Sequence, residues 1–191
     1  KAAEEEYDTV VVLGTAHTVR LKGAAILKDG FYENPLGKVP VDEKLAEELL
    51  KSGPLFENSP AAHAAEHAVE VQLPFLQRRL KKSFKLLPAV MNTDKVSDII
   101  AIGETLGRKL KGKKALIVVS ADLSHYPDHA SARLVDETLG QAIKTMNPEF
   151  FWLTNRILLA KGIPELGTCA CGEAAIGAAM AAVNTLGPAR F

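Results

Sequence analysis

Apolar positions along this chain follow two rhythms. Thr9-Val10-Val11-Val12-Leu13 is an unbroken β-branched run, the pattern of a strand buried on both faces. Ala115 to Val119 repeats it, and Phe84 to Val90 resembles another strand. Ala24 to Tyr32 predicts a strand pair around the turn Asp29-Gly30, and Asn34-Pro35-Leu36-Gly37 predicts a loop. The other rhythm is helical. Asp42 to Lys51 carries Leu45, Leu49 and Leu50 on one face and is stopped by Gly53-Pro54. Asn58-Ser59-Pro60 opens a helix from about Ala61, on which His63, Val69 and Leu73 follow helical spacing. Val96 to Leu110, Ala130 to Met146, Pro148 to Leu159 and Gly172 to Leu186 predict four more, and the alanine-rich run Ala174 to Val183 marks the last as buried. Strands alternating with helices imply an α/β fold, a mostly parallel central sheet with helices on both faces.

Composition narrows the classes. The 191 residues suit one domain, spanning 1–191, with no linker, internal repeat or low-complexity tract. The 23 basic residues balance the 23 acidic ones, which argues against a nucleic-acid or membrane-surface partner. The local clusters Arg78, Arg79, Lys81, Lys82 and Lys111, Lys113, Lys114 read as solvated helix ends or turns. No apolar run reaches the ~18 residues that a membrane helix needs. Lys1 to Asp8 shows no signal-peptide core, so a cytoplasmic location is expected. Cys169 and Cys171 lie too close for an ordinary disulfide, which fits a reducing compartment.

Candidate chemistry gathers where strands end. The first strand runs into Gly14-Thr15-Ala16-His17, and Ala115 to Val119 runs into a turn with Asp122 and His125. Ligand sites of open parallel sheets form beyond the carboxyl ends of strands, so two histidines and a carboxylate are expected on one edge. His63-Ala64-Ala65-Glu66-His67 places two imidazoles four apart, on one face if the segment is helical. The string also matches the H-x-x-E-H pattern of inverted zincins, with Glu66 as general base and Glu137 or Glu173 as the further ligand. Thr168-Cys169-Ala170-Cys171-Gly172-Glu173 precedes the last helix, where Thr168 is a candidate cap. The helix dipole there favours a thiolate, the metal-binding form of cysteine. Cys169 reads as a small buried residue.

These residues carry a resemblance. Glu66-His67-Ala68-Val69-Glu70-Val71-Gln72-Leu73-Pro74-Phe75-Leu76 resembles the signature of the Memo-like family. Asn34 to Gly37 followed by Val41-Asp42, Ser120 to Tyr126, and Cys171-Gly172 match it in the same order, covering Thr9 to about Gly187. The resemblance implies the fold of class III extradiol dioxygenases, which are non-haem iron enzymes. It implies one metal ion held by His17, His67 and Cys171, with His125 as catalytic acid/base and Asp122 beside it to orient its imidazole. Two imidazoles and a thiolate suit iron most, then copper or zinc. Related proteins commonly carry histidine where this chain has Thr18, and serine where it has Ala68 and Ala121. The resemblance also implies that a segment before Lys1 and a closing strand after Phe191 are missing, and that microbial members associate with a radical-SAM protein.

Three functions are expected to compete. The first is a metal-dependent, dioxygenase-like redox protein using His17, His67, Cys171 and His125. The second is a module that binds a small molecule or peptide around a structural or vestigial metal. The third is an inverted-zincin hydrolase built on His63, Glu66 and His67.

Overall fold

The computed structural model describes residues 6–80 and 82–187. Five strands form the central sheet: β1 (Thr9–Thr15), β2 (Ala24–Ile26), β5 (Phe56–Asn58), β6 (Lys85–Met91) and β7 (Ala115–Val119), in the spatial order β5-β2-β6-β1-β7. β1 pairs in parallel with both β6 and β7, and β2 pairs in parallel with β5. The sheet is therefore mostly parallel, with β2 antiparallel to β6 as the exception.

Alternation along β1 shows why its sequence is unbroken by polar residues. Val11 and Leu13 enter one apolar cluster, with Leu45, Leu49, Ile99, Ile102, Leu106 and Ala178. Val10 and Val12 enter another, with Ala62, Val69 and Leu73. Helices thus cover both faces: α1 (Glu43–Leu50), α4 (Val96–Leu110) and α7 (Glu173–Leu186) on the first, α2 (Pro60–Ala64) and α3 (Leu73–Arg79) on the second. A third cluster joins α5 (His129–Lys144) and α6 (Pro148–Ala160) to Cys169, Ile176 and Met180.

Local chemistry sets the element ends. Asp42 caps α1 by accepting from the Leu45 amide at 3.2 Å. α4 and α7 approach until a β-carbon on Gly103 would lie 2.2 Å from the Ala178 carbonyl oxygen. Only glycine on one helix and small residues on the other permit that spacing. Among the described residues, no helix is long and apolar enough to cross a membrane.

Two local expectations need correction. Gly30 does turn the chain, with φ +97°, but β2 does not pair with the strand that follows. β3 (Phe31–Asn34) pairs instead with β4 (Gly37–Pro40), and the predicted loop Asn34 to Gly37 is the tip of this hairpin. A strand pattern does not name its partner; burial does. Ala24, Ala25 and Ile26 are wholly buried and belong in the central sheet, whereas β3 is half exposed. The other correction is the helix expected from Ala61. It stops at Ala64, and the chain resumes as a 3-10 turn, Glu70–Gln72, before α3. Arg78 and Arg79 lie in the last turn of α3, and Lys81 of that basic cluster lies outside the described residues.

Candidate functional site

The break after α2 is caused by Glu66. Its side chain is turned inward and is only 1% exposed. One carboxylate oxygen accepts from the His17 amide at 2.6 Å, the other from the Ala68 amide at 2.9 Å. The His17 ring adds a contact from Nδ1, 2.9 and 3.1 Å from the two oxygens. Hydrogen bonds to a charged acceptor contribute roughly 1.5–3 kcal/mol each. Helix propensity differs among alanine, glutamate and histidine by less than about 1 kcal/mol per residue. The carboxylate network therefore overrides the helix that Ala61 to Ala65 would otherwise extend. Burial pushes the Glu66 carboxyl upward, but the amides of His17 and Ala68 and the His17 imidazole outweigh it and hold the group below its ordinary value.

This carboxylate organises both neighbouring imidazoles. With Nδ1 of His17 donating to Glu66, Nε2 is left as the lone-pair nitrogen. His67 Nδ1 lies 3.4 Å from the same carboxylate. The two rings stack with centroids 4.9 Å apart and planes 19° from parallel. The His17 loop is fixed from behind by Asn92, whose Nδ2 donates to the Ala16 and Val19 carbonyls at 2.8 Å each and whose Oδ1 accepts from the Leu21 amide at 2.9 Å. An open depression of about 520 Å³ beside His17 is lined by Thr18, Val19, Arg20 and Asn92.

A second group forms at the end of β7. Asp122, His125 and Cys171 each bring one potential ligand atom within 4.8 Å of the others, as do His17, Glu66 and His67; these are the two such groups among the described residues. The Asp122 amide donates to the Cys171 sulfur at 3.2 Å, and the Cys171 amide donates to the Asp122 carbonyl at 3.1 Å. His125 Nδ1 lies 2.7 Å from the Leu123 carbonyl and donates to it, so that carbonyl orients the ring and leaves Nε2 unprotonated in the neutral imidazole. Gly172, rather than Thr168, occupies the cap position of α7.

The groups are neighbours because β1 and β7 are. Thr15 Oγ1 donates to the Cys171 carbonyl at 2.7 Å, and Gln72 Nε2 donates to Ser120 Oγ at 3.0 Å. Two close approaches draw the loops together. A β-carbon on Gly14 would lie 2.7 Å from that of Ala68, and one on Gly172 would lie 2.4 Å from that of Ala121.

The zincin arrangement is not formed. His63 and His67 do not share a helix, since α2 ends at Ala64. His63 is buried, its Nε2 donates to the Ala25 carbonyl at 3.1 Å, and the Tyr32 hydroxyl donates to its Nδ1 at 3.0 Å. Both nitrogens are committed, and burial holds the imidazole below its ordinary pKa. Glu137 pairs with Arg133, and Glu173 with Arg156. Spacing also concealed the clamps. The sequence offers Glu66 only as a general base, and it carries no signal for the roles of Gln72, Asn92 and Thr15. The one available signal was the glutamate directly preceding His67 in the most distinctive stretch of the sequence.

Comparison with known proteins agrees with this architecture. The family model described as Memo-like protein matches residues 2–191. A MEMO1 family protein of Aquifex aeolicus is 40% identical over 74% of the chain, covering 53% of that protein. A MEMO1 family protein of Methanosarcina mazei is 30% identical over 97% of the chain, covering 66% of its own length. The chain spans about half to two thirds of the curated relatives it matches. The crystal structure of an uncharacterized protein from Escherichia coli K12 shares the fold, with a TM-score of 0.60 and 16% identity over 96% of this chain and 79% of that one. The chain belongs to the Memo-like family.

Proposed function

We propose that this chain is a metal-dependent redox protein of dioxygenase-like type, holding one ion with His17, His67 and Cys171. The observation that carries the reading is the buried Glu66 carboxylate, which fixes His17 Nδ1 and lies beside His67 Nδ1. A carboxylate behind a histidine sets its tautomer and raises its basicity as a ligand, an arrangement typical of metal sites. A solvent-facing histidine pair has no need of such a support. Cys171, held by the Asp122 amide and through its carbonyl by Thr15, supplies a soft donor from the turn before α7. Two imidazoles and one sulfur fit iron, the first choice, as well as copper or zinc.

Bound iron would supply one-electron chemistry and a place for dioxygen or a small organic molecule. The residues around it have separable tasks. Glu66 keeps Nε2 of His17 available. His125, oriented by the Leu123 carbonyl, presents Nε2 to accept a proton from a ligand hydroxyl and return it later. Asp122 places a carboxylate in the same group, within reach of that imidazole. The expected ligand is a small molecule or peptide, and a radical-SAM protein is the expected partner.

Metal analysis tests this directly. Protein purified without a metal-binding tag should carry about one ion per chain by mass spectrometry. His17→Ala, His67→Ala and Cys171→Ser should each lose it, and His63→Gln should keep it. Retention in Cys171→Ser together with loss in His63→Gln would reverse the assignment.

A further inference from the structure

The turn that carries Cys171 is gripped from α6. Glu173 opens α7 two residues after Cys171, and its side chain is only 14% exposed. Arg156 of α6 donates to it, with Nη2 2.6 Å from Oε2. Burial sets this pair apart from Arg133 and Glu137, which are mostly exposed on α5, where such pairs contribute little. The Arg156 guanidinium also lies over the Trp152 ring one helical turn earlier, 5.3 Å from its centroid. Trp152 Nε1 in turn donates to the Asp94 carbonyl at 3.2 Å. Asp94 belongs to the loop after β6, two residues beyond the Asn92 that holds the His17 loop.

This cluster is kept at a cost. Glu173 Oε1, Arg156 Nε and Asn155 Oδ1 are buried without a hydrogen-bond partner, three of the four such side-chain atoms among the described residues. Polar atoms buried unpaired oppose folding. Apolar side chains of similar volume in place of a buried ion pair are often neutral or stabilising. What the charged pair gives and packing does not is direction, because a planar guanidinium fixes a carboxylate at one distance and angle. The carboxylate so fixed lies in the first turn of α7, and the chain enters that turn through Cys171 and Gly172. The Asp122 amide and the Thr15 hydroxyl fasten Cys171 on the strand side.

We propose that Arg156 is a positioning residue for the Cys171 sulfur, gripping Glu173 in the first turn of α7 and tying that turn, through Trp152, to the loop behind His17. α6 thereby joins the supports of both donor groups, although none of its side chains belongs to either group. The inference deepens the metal-site reading and rests on it for why the sulfur must be held in place. The position of the thiol itself is measurable without metal.

The test is the rate at which iodoacetamide alkylates each cysteine of the chelator-treated chain, resolved by fragment-ion mass spectrometry. Cys171 is half-buried and Cys169 wholly buried, so Cys169 reports general loosening of the fold. Arg156→Met should speed alkylation of Cys171 about tenfold, the worth of one charge-assisted hydrogen bond, and leave Cys169 protected. Trp152→Phe, which loses the bond to Asp94, should give a smaller rise in the same direction. Glu173→Gln keeps an oxygen for the guanidinium and should stay near wild type, whereas Glu173→Ala should match Arg156→Met. The Arg156→Met/Glu173→Ala double variant should react no faster than either single one, because the arginine acts through the glutamate. In samples loaded with cobalt(II), the thiolate-to-cobalt charge-transfer band should weaken in Arg156→Met. The proposal is overturned if Arg156→Met and Trp152→Phe leave the Cys171 rate unchanged, if Cys169 accelerates in step, or if the two single effects add. It is also overturned if the wild-type cobalt band persists undiminished in Arg156→Met. The predicted alkylation pattern without any cobalt band in wild type would support the brace and refute the ligand set alone.

Discussion

The two halves of the candidate site are held by different means. His17 and His67 stand on a charged side chain, Glu66, buried between the end of β1 and the loop after α2. Asp122, His125 and Cys171 are held mostly by main-chain groups: the Leu123 carbonyl on the imidazole, and reciprocal amide contacts between positions 122 and 171. The first half depends on one ionised group and is vulnerable to a single substitution. The second depends on backbone geometry and is vulnerable to bulk. This difference orders the expected effects of mutation.

The largest effect is expected at Glu66. Glu66→Ala strands the amides of His17 and Ala68, and a buried donor without a partner costs about 1–3 kcal/mol. With two such amides lost, urea unfolding should show destabilisation of a few kcal/mol. Metal affinity, read by chelator competition, should fall about 10–100-fold, as expected for loss of a carboxylate behind a ligand. Glu66→Gln keeps an acceptor for one amide and should separate the two readouts, with metal affinity falling more than stability.

Bulk should break the other half. Gly172→Ala would bring a β-carbon 2.4 Å from that of Ala121, so the first turn of α7 must shift. Overpacking of this kind costs about 1–3 kcal/mol. Because Cys171 is the adjacent residue, sulfur ligation should weaken with it. A Gly172→Ala protein with unchanged stability and unchanged metal affinity would show that the two loops are not drawn together here.

The smallest effect is a pH dependence outside both halves. His63 has its pKa lowered in the folded state by burial, against the opposing pull of the Ala25 carbonyl and Glu66. The unfolded chain therefore takes up a proton first as pH falls. Stability contributed by neutral His63 is fully present above the ordinary value of 6.5 and declines as pH drops from there toward the lower folded value. Urea midpoints at pH 7.5 and 5.5 should differ less in His63→Gln than in wild type.

Much of the architecture was legible in the sequence because it follows from periodicity. β1, α4 and β7 lie where their apolar patterns put them, and α7 is as buried as its alanine run implied. The partner of β2 was not legible, since strand patterns carry no register between positions as distant in the chain as Ile26 and Ala89. His63 and His67 show the limit most clearly. Four residues apart, one lies in the core with both nitrogens bonded and the other is 64% exposed beside a carboxylate. Helical spacing would have made them equivalent. What separates them is the inward turn of Glu66, a tertiary event driven by the amides of His17 and Ala68.

The central claim is that donors from both halves meet at one ion. X-ray absorption at the edge of the metal that the purified chain carries measures this most directly. The account predicts a first shell containing two imidazole nitrogens near 2.0–2.1 Å and one sulfur near 2.3 Å, the lengths typical of zinc, with the sulfur shell absent in Cys171→Ser. A shell of nitrogen and oxygen alone in the wild-type protein, unchanged by that substitution, would contradict it.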